Sequence, residues 1–221
     1  MRTPWKAIFR VFIIEKEFFF MTQKQKTHRI AVAALLAAVA AVLQFVEFSI
    51  PIMPAFVKLD ISDLPALLGT FSLGPVYGVA IQLVKNLLHL PFGSSACVGE
   101  LSNFLLGATF AFIAGIIYKK HKTRSGALWG SVAGAAAMAL ISLPLNYFIV
   151  YPAYVVLYGL PLEAIVGMYQ EILGTVAQIP TGNALFNCLL VFNVPFTLCK
   201  GLLDVALCFL IYKPLSPLLH K

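Results

Sequence analysis

The feature that most constrains this chain is a succession of apolar runs, almost free of charge, between residues 30 and 212. A helix crosses the hydrocarbon core of a bilayer with about 20 mostly apolar residues. Residues 30–48, 98–118, 128–151 and 186–212 each supply such a stretch. Residues 63–73, closed by the breaker Gly74-Pro75, and residues 75–90 are shorter, and are expected to tilt or to be shielded by neighbours. Pro75 suits a helix start, where its missing N–H costs nothing. All six runs are expected to be helical, because unpaired backbone groups are forbidden in lipid. Only 11% of the 221 residues are charged, against about 25% in an ordinary soluble domain. A soluble enzyme and a disordered protein are thereby excluded. The expected fold is an all-α integral membrane protein, a bundle of six transmembrane helices.

Six crossings put both termini on one side, and the basic residues sort with them. Seven Lys and Arg, from Arg2 to Arg29, precede the first run. Lys119, Lys120, Lys122 and Arg124 separate the fourth from the fifth, and Lys213 and Lys221 follow the sixth. The opposite side carries only Lys58, and residues 151–186 hold no Lys or Arg. By the positive-inside rule the termini and the 119–124 loop are cytoplasmic. The net charge of +7 is mainly a topology signal, and no nucleic-acid partner is expected.

The chain therefore divides into a cytoplasmic extension (residues 1–29), a membrane domain (30–213) and a cytoplasmic tail (214–221). Residues 1–20 lack a small-residue cleavage site and make a poor signal peptide. They fit an interfacial helix. Met21-Thr22-Gln23-Lys24 reads as a natural start, so residues 1–20 are expected to be dispensable. Residues 152–187 carry Glu163, Glu171 and Gln178 among Pro and Gly, too polar for a seventh crossing. They read as an outer loop with a short amphipathic helix lying on the bundle.

An ionisable group inside a span costs about 2.5 kcal/mol or more and marks a candidate site. Lys85, Glu100, Lys200 and Asp204 qualify. Lys200 and Asp204 stand at i,i+4, within reach of a structural salt bridge. Snorkelling to the interface explains Lys85, beside Asn86 and His89, as well as ligand contact does. Glu100, three residues before Asn103, is favoured by the macrodipole of a helix N-terminus as much as by a binding role. Asn146 follows Pro144, which loosens the helix, and its amide serves equally as interhelical glue or as a ligand contact. No second ligand at coordinating spacing accompanies His89, and Cys97, Cys188, Cys199 and Cys208 form no CxxC pair, so no metal site is expected.

Residues 49–62 hold two prolines among apolar side chains, with Lys58, Leu59 and Asp60 near the end. A segment this apolar is expected to fold over the bundle as an outer lid loop, and Asp60 and Ser62 are helix-capping types. Ala33, Ala37 and Ala41 recur at small-xxx-small spacing and give the first helix a smooth face suited to docking another protein. There is no phosphate-binding GxxxxGK[ST], no HExxH and no GxSxG. The chain therefore cannot hydrolyse ATP, and no catalytic residue or cofactor is assigned. A membrane-embedded enzyme using Glu100 and Asp204 as acid and base is a competing reading of another class.

The motifs Lys58-Leu59-Asp60-Ile61-Ser62-Asp63-Leu64-Pro65, Gly74-Pro75, Lys85-Asn86-Leu87-Leu88-His89, Gly99-Glu100-Leu101-Ser102-Asn103-Phe104, Leu145-Asn146 and Pro195-Phe196-Thr197-Leu198-Cys199-Lys200-Gly201 occur in order over residues 30–213. Jointly they resemble the substrate-binding (S) components of energy-coupling factor (ECF) vitamin transporters, the riboflavin-specific branch in particular. The resemblance implies a multi-pass subunit of a bacterial cell membrane that binds riboflavin as transported ligand near the outer surface. It implies partnership with a transmembrane coupling subunit and two ATPase subunits. Lys58, Leu59, Asp60, Asn146 and Lys200 would hold the ring, with Glu100, Asn103 and Asn86 near the pocket; Asp204 joins these binding candidates as a charge inside the same span as Lys200. The Ala33/Ala37/Ala41 face resembles the surface that docks the coupling subunit. Another vitamin or a purine-like compound on the same architecture is the alternative.

Overall fold

A computed structural model of the chain describes residues 23–54, 57–93, 97–159, 161–173 and 183–219. The expectation for residues 1–20 lies outside them. Two units separate, residues 1–32 and residues 33–221. In the first, the described residues are the opening turns of α1 (Gln23–Gln44), where the Thr27 hydroxyl donates to the Gln23 carbonyl at 3.0 Å.

Among its described residues the second unit has helices and one short antiparallel pairing, β1 (Phe48–Ser49) with β2 (Lys58–Leu59), in register Phe48 to Leu59. It continues through α2 (Asp63–Leu73) and α3 (Pro75–His89), then a 3-10 turn at Leu90–Phe92. Next come α4 (Val98–Lys120) and α5 (Arg124–Leu145). The chain goes on through α6 (Tyr151–Tyr158), α7 (Leu162–Leu173), α8 (Ala184–Cys188) and α9 (Val194–Leu219). The Thr123 hydroxyl caps α5, accepting the Gly126 N–H at 3.0 Å.

Residues 25–44, 98–120, 124–157 and 184–211 are long and apolar enough to cross a membrane. The α2 helix has 11 residues and α3 has 15, both under the length of a full crossing. Residues 128–151, expected to form one span, belong to a longer rod that runs on through α6. Likewise α9 continues past Lys213-Pro214, where a stop was expected.

Two π-helical turns interrupt the long rods, at Asn146–Val150 and Leu189–Asn193. The Tyr151 N–H reaches back to the Asn146 carbonyl, and the Val194 N–H to the Leu189 carbonyl. In each case a proline follows at once, Pro152 or Pro195. Proline has no N–H to return to the preceding turn, and the chain takes up one extra residue there. The two turns carry the polar side chains of Asn146 and Asn193.

The core of the unit is α2, closed in by α3, α4 and α9, with α5 across α4 and α9. Leu64, Leu67, Leu68 and Phe71 of α2 bury against Phe110, Ala114, Ala135, Met138 and Val205. Gly130 and Gly134 let the backbones of α4 and α5 touch: an added Cβ would stand 2.9 Å from the Ala114 carbonyl oxygen and 2.7 Å from that of Phe110. Large apolar side chains such as Leu35, Val42, Trp129, Leu140 and Leu210 face outward, as a lipid-facing surface requires.

Candidate functional site

At the end of the unit where α1, α3, α5 and α6 finish and α2, α4 and α9 begin lies an open cavity. It takes in about 1060 Å³ of space, open solvent at its mouth included. Lys58, Asn103, Asn146, Tyr151, Asn193 and Lys200 supply polar groups to its wall, while Val57, Leu106, Met138, Val150 and Phe196 supply apolar area. That mixture suits a flat, largely apolar molecule with a few polar edges.

Behind the wall is a closed circuit of ion pairs and hydrogen bonds. Lys200 Nζ lies 2.8 Å from Asp60 Oδ2 and 3.3 Å from Asp63 Oδ2. Lys85 Nζ lies 2.5 Å from Asp63 Oδ1 and donates to Ser62 Oγ at 2.6 Å. Ser62 in turn donates its hydroxyl and its N–H to Asp60 Oδ1, which completes the circuit. Gln82 Nε2 adds a bond to Asp63 Oδ1 at 2.8 Å. All these groups are buried, and charges so removed from water persist only when paired and hydrogen-bonded. Burial by itself would push Asp60 up. The ammonium groups of Lys200 and then Lys85 more than offset it and hold the carboxyl below its ordinary 3.8.

This geometry revises several expectations. Lys200 turns to Asp60 and Asp63 on other elements rather than to Asp204 one turn along its own helix. Both Asp204 carboxylate oxygens lack a hydrogen-bond partner among the described residues. Lys85 does not snorkel; it is fully buried on Asp63. Ser62 is the N-cap residue of α2, yet its hydroxyl serves Asp60 and makes no cap bond. Glu100, in the first turn of α4, meets His89 Nδ1 at 3.1 Å, and that ring packs against Phe45.

Of the sequence-derived candidates, Lys58, Glu100, Asn103, Asn146 and Lys200 line the cavity together. Lys58 also pairs with Glu47. Asn103 Oδ1 stands 3.4 Å from Lys200 Nζ. Leu59 is half-buried on β2, and Asp60 lies behind Lys200. Asn86 is buried between the Gln44 side chain and the Gln82 carbonyl, at 3.2 and 2.8 Å.

The docking expectation also changes. Ala37 and Ala41 are buried and Ala33 is half-buried. The neighbouring Leu36 lies beside Gly69 and Ile81, so this face of α1 packs inward. Small residues let helices approach closely, and here the helices approached are the chain's own. Ala31, Ala34 and Ala38 are exposed on α1.

Residues that the sequence did not mark as site candidates include Asp63, Tyr151 and Asn193. Asp63 looks like an ordinary acidic first-turn residue, and only its distance to two lysines reveals its part. Tyr151 and Asn193 stand one and two residues before a proline in apolar runs, a readable signal once the π turns are known. Cys97, Cys188, Cys199 and Cys208 are free thiols.

The family model for the substrate-specific component of ECF transporters matches residues 28–212. The riboflavin transporter RibU of Staphylococcus aureus is 33% identical over 197 residues, which is 89% of this chain and 95% of that protein. The riboflavin transporter FmnP of Bacillus subtilis is 28% identical, covering 89% of this chain and 96% of its own. Among solved structures, the S component of a bacterial ECF transporter superposes with a TM-score of 0.64 at 32% identity, over 89% of this chain and 99% of that one.

Proposed function

We propose a function from one premise: the chain belongs to the family of ECF transporter substrate-specific components. It is a membrane-located transport subunit that binds riboflavin and delivers it for uptake. The observation that carries this reading is the cavity, whose wall sets Asn146, Asn193 and Lys200 among Val150, Phe196 and Met138. A flavin has an apolar ring edge, a uracil-like edge of carbonyls and an N–H, and a hydroxylated tail. The carboxamide of Asn146 has both donor and acceptor capacity for the uracil-like edge. Lys200 offers a cation whose field is strong in a low-dielectric wall. Phe196 and the tyrosines offer area for the ring.

The finer features belong to the same proposal. Six helices cross the membrane, α2 and α3 being the short ones, and residues 1–29 and 214–221 flank the domain. Both termini lie on the cytoplasmic side with Lys119, Lys120 and Lys122. The cavity then opens outward, and the loop ending at Asp60 and Ser62 serves as its lid, tied down by Asp60 on Lys200. Energy comes from a coupling module of one transmembrane subunit and two ATPase subunits, which docks on the exposed side of α1. The relatives named riboflavin transporters favour this ligand over another vitamin or a purine-like compound.

The test is a titration. Purified protein in detergent should quench riboflavin fluorescence with saturation at one equivalent, at nanomolar to micromolar ligand. An unquenched signal at tens of micromolar, with quenching by another vitamin, would reject riboflavin and keep the architecture.

A further inference from the structure

Tyr151, Tyr169 and Asn193 come from three separate elements and meet in a closed ring of hydrogen bonds. The Asn193 Nδ2 donates to the Tyr151 hydroxyl at 3.2 Å. The Tyr169 hydroxyl donates to Asn193 Oδ1 at 2.6 Å. Tyr169 has then spent its only proton, so the 2.5 Å contact between the two hydroxyls is made by the Tyr151 proton. Each group donates once and accepts once around the ring. All three are buried, and Tyr169 is fully so. Such a ring has one consistent direction at a time, because reversing it means rotating two hydroxyls and flipping the amide together.

Two of the three members also face the cavity: Tyr151 and Asn193 belong to its wall, whereas Tyr169 stands behind them on α7. Tyr151 opens α6 just after the first π turn, and Asn193 closes the second. The proline-driven widening of both rods therefore delivers them to the same place. Tyr169 is anchored by packing on Phe192, ring centroids 5.2 Å apart, and by Ile165 one turn earlier, which is buried too. The Asn193 amide uses one N–H and its oxygen inside the ring. One N–H remains.

We propose that Tyr169 is a positioning residue for ligand selection. By closing the ring it holds the Asn193 carbonyl away from the cavity and leaves the second N–H for an acceptor on the ligand. Resting on the reading of the cavity as a flavin site, the acceptor is a ring carbonyl or a ribityl hydroxyl oxygen. Without the Tyr169 hydroxyl, the Asn193 oxygen loses its buried partner and the amide is free to present either end. A buried polar group left unpaired in one orientation discriminates far more strongly than apolar contact does. The amphipathic helix α7 thus acts on binding without touching the ligand.

The experiment is a double-mutant cycle read by riboflavin fluorescence quenching, with thermal midpoints measured alongside. Tyr169→Phe removes one oxygen and keeps the ring packing; it should weaken riboflavin about tenfold. Asn193→Ala should weaken it at least as much. In the Asn193→Ala background, Tyr169→Phe should have no further effect on affinity, which a merely structural role would not produce. Asn193→Asp, which keeps the shape and puts an acceptor where the N–H pointed, should also bind at least tenfold more weakly. This variant decides the matter should Tyr169→Phe fail to fold. Affinity unchanged in Tyr169→Phe or in Asn193→Asp, or multiplicative losses in the double mutant, overturn the proposal. A wild-type protein that does not quench riboflavin instead overturns the flavin reading on which it stands.

Discussion

Asp60, in the loop after β2, and Lys200, on α9, form a 2.8 Å ion pair although 140 residues separate them. The pair joins the loop after β2 to a helix that lines the cavity. Its partners Asp63 and Lys85 are buried as well, so any change to one member leaves the others uncompensated.

Lys200→Ala should weaken riboflavin binding at least about tenfold, or about 1.4 kcal/mol, and should also lower the thermal midpoint. Breaking one partner of a buried ion pair costs about 3–5 kcal/mol. Fluorescence titration and thermal unfolding in detergent separate the two effects. Unchanged affinity removes Lys200 from the site.

Asn146 lines the cavity, and its side chain has no hydrogen-bond partner among the described residues. Asn146→Leu should therefore abolish most of the affinity while shifting the thermal midpoint little. A large fall in stability with affinity preserved in the folded fraction would make it interhelical glue instead.

The Asp60 carboxyl is held below its ordinary 3.8 by Lys200 and Lys85 against the opposing effect of burial. A carboxylate lowered on folding contributes stability that is complete above its unfolded value and is lost as pH falls through the folded one. The difference in thermal midpoint between wild type and Asp60→Asn should hold steady from about pH 8 to about pH 5 and close only in stronger acid. Narrowing within that window contradicts the ion-pair assignment.

Leucine at Ala34 and Ala38, both exposed on α1, should leave riboflavin binding intact and abolish uptake by cells that supply the coupling module. Leucine at Ala37, 2% exposed, should instead destabilise the chain by about 1–3 kcal/mol through overpacking. Uptake surviving the Ala34/Ala38 change would move the docking surface elsewhere.

A single cysteine at Lys122 in a cysteine-free background should react with an impermeant maleimide only after cells are opened. Labelling of intact cells would reverse the proposed orientation. A chain beginning at Met21 should bind riboflavin as the longer one does.

The apolar runs were legible because hydropathy and length are local properties. They place α1, α4, α5 and α9 directly, and Pro75 marks a helix start. Even the π turns leave a trace in Tyr151-Pro152 and Val194-Pro195. Candidates such as Asn146, Asn103 and Lys200 stood out because polar groups are costly in lipid. Pairing was not legible. Spacing at i,i+4 put Asp204 within reach of Lys200, but a desolvated ammonium goes where geometry lets it meet the best-held acceptors. Those came from Asp60 and Asp63 on distant segments.

By itself, then, the sequence determined that this chain enters a membrane as helices and which few polar side chains must be held inside. Burial cost and the positive-inside bias depend on residue type and position along the chain alone. Only the tertiary structure decided that Lys85 serves Asp63, that the Ala37 side of α1 faces inward, and that Tyr169 reaches the wall of the cavity through Asn193. Each of these depends on distances between elements, and hydrogen bonds and ion pairs fall away within an ångström or so of their proper geometry.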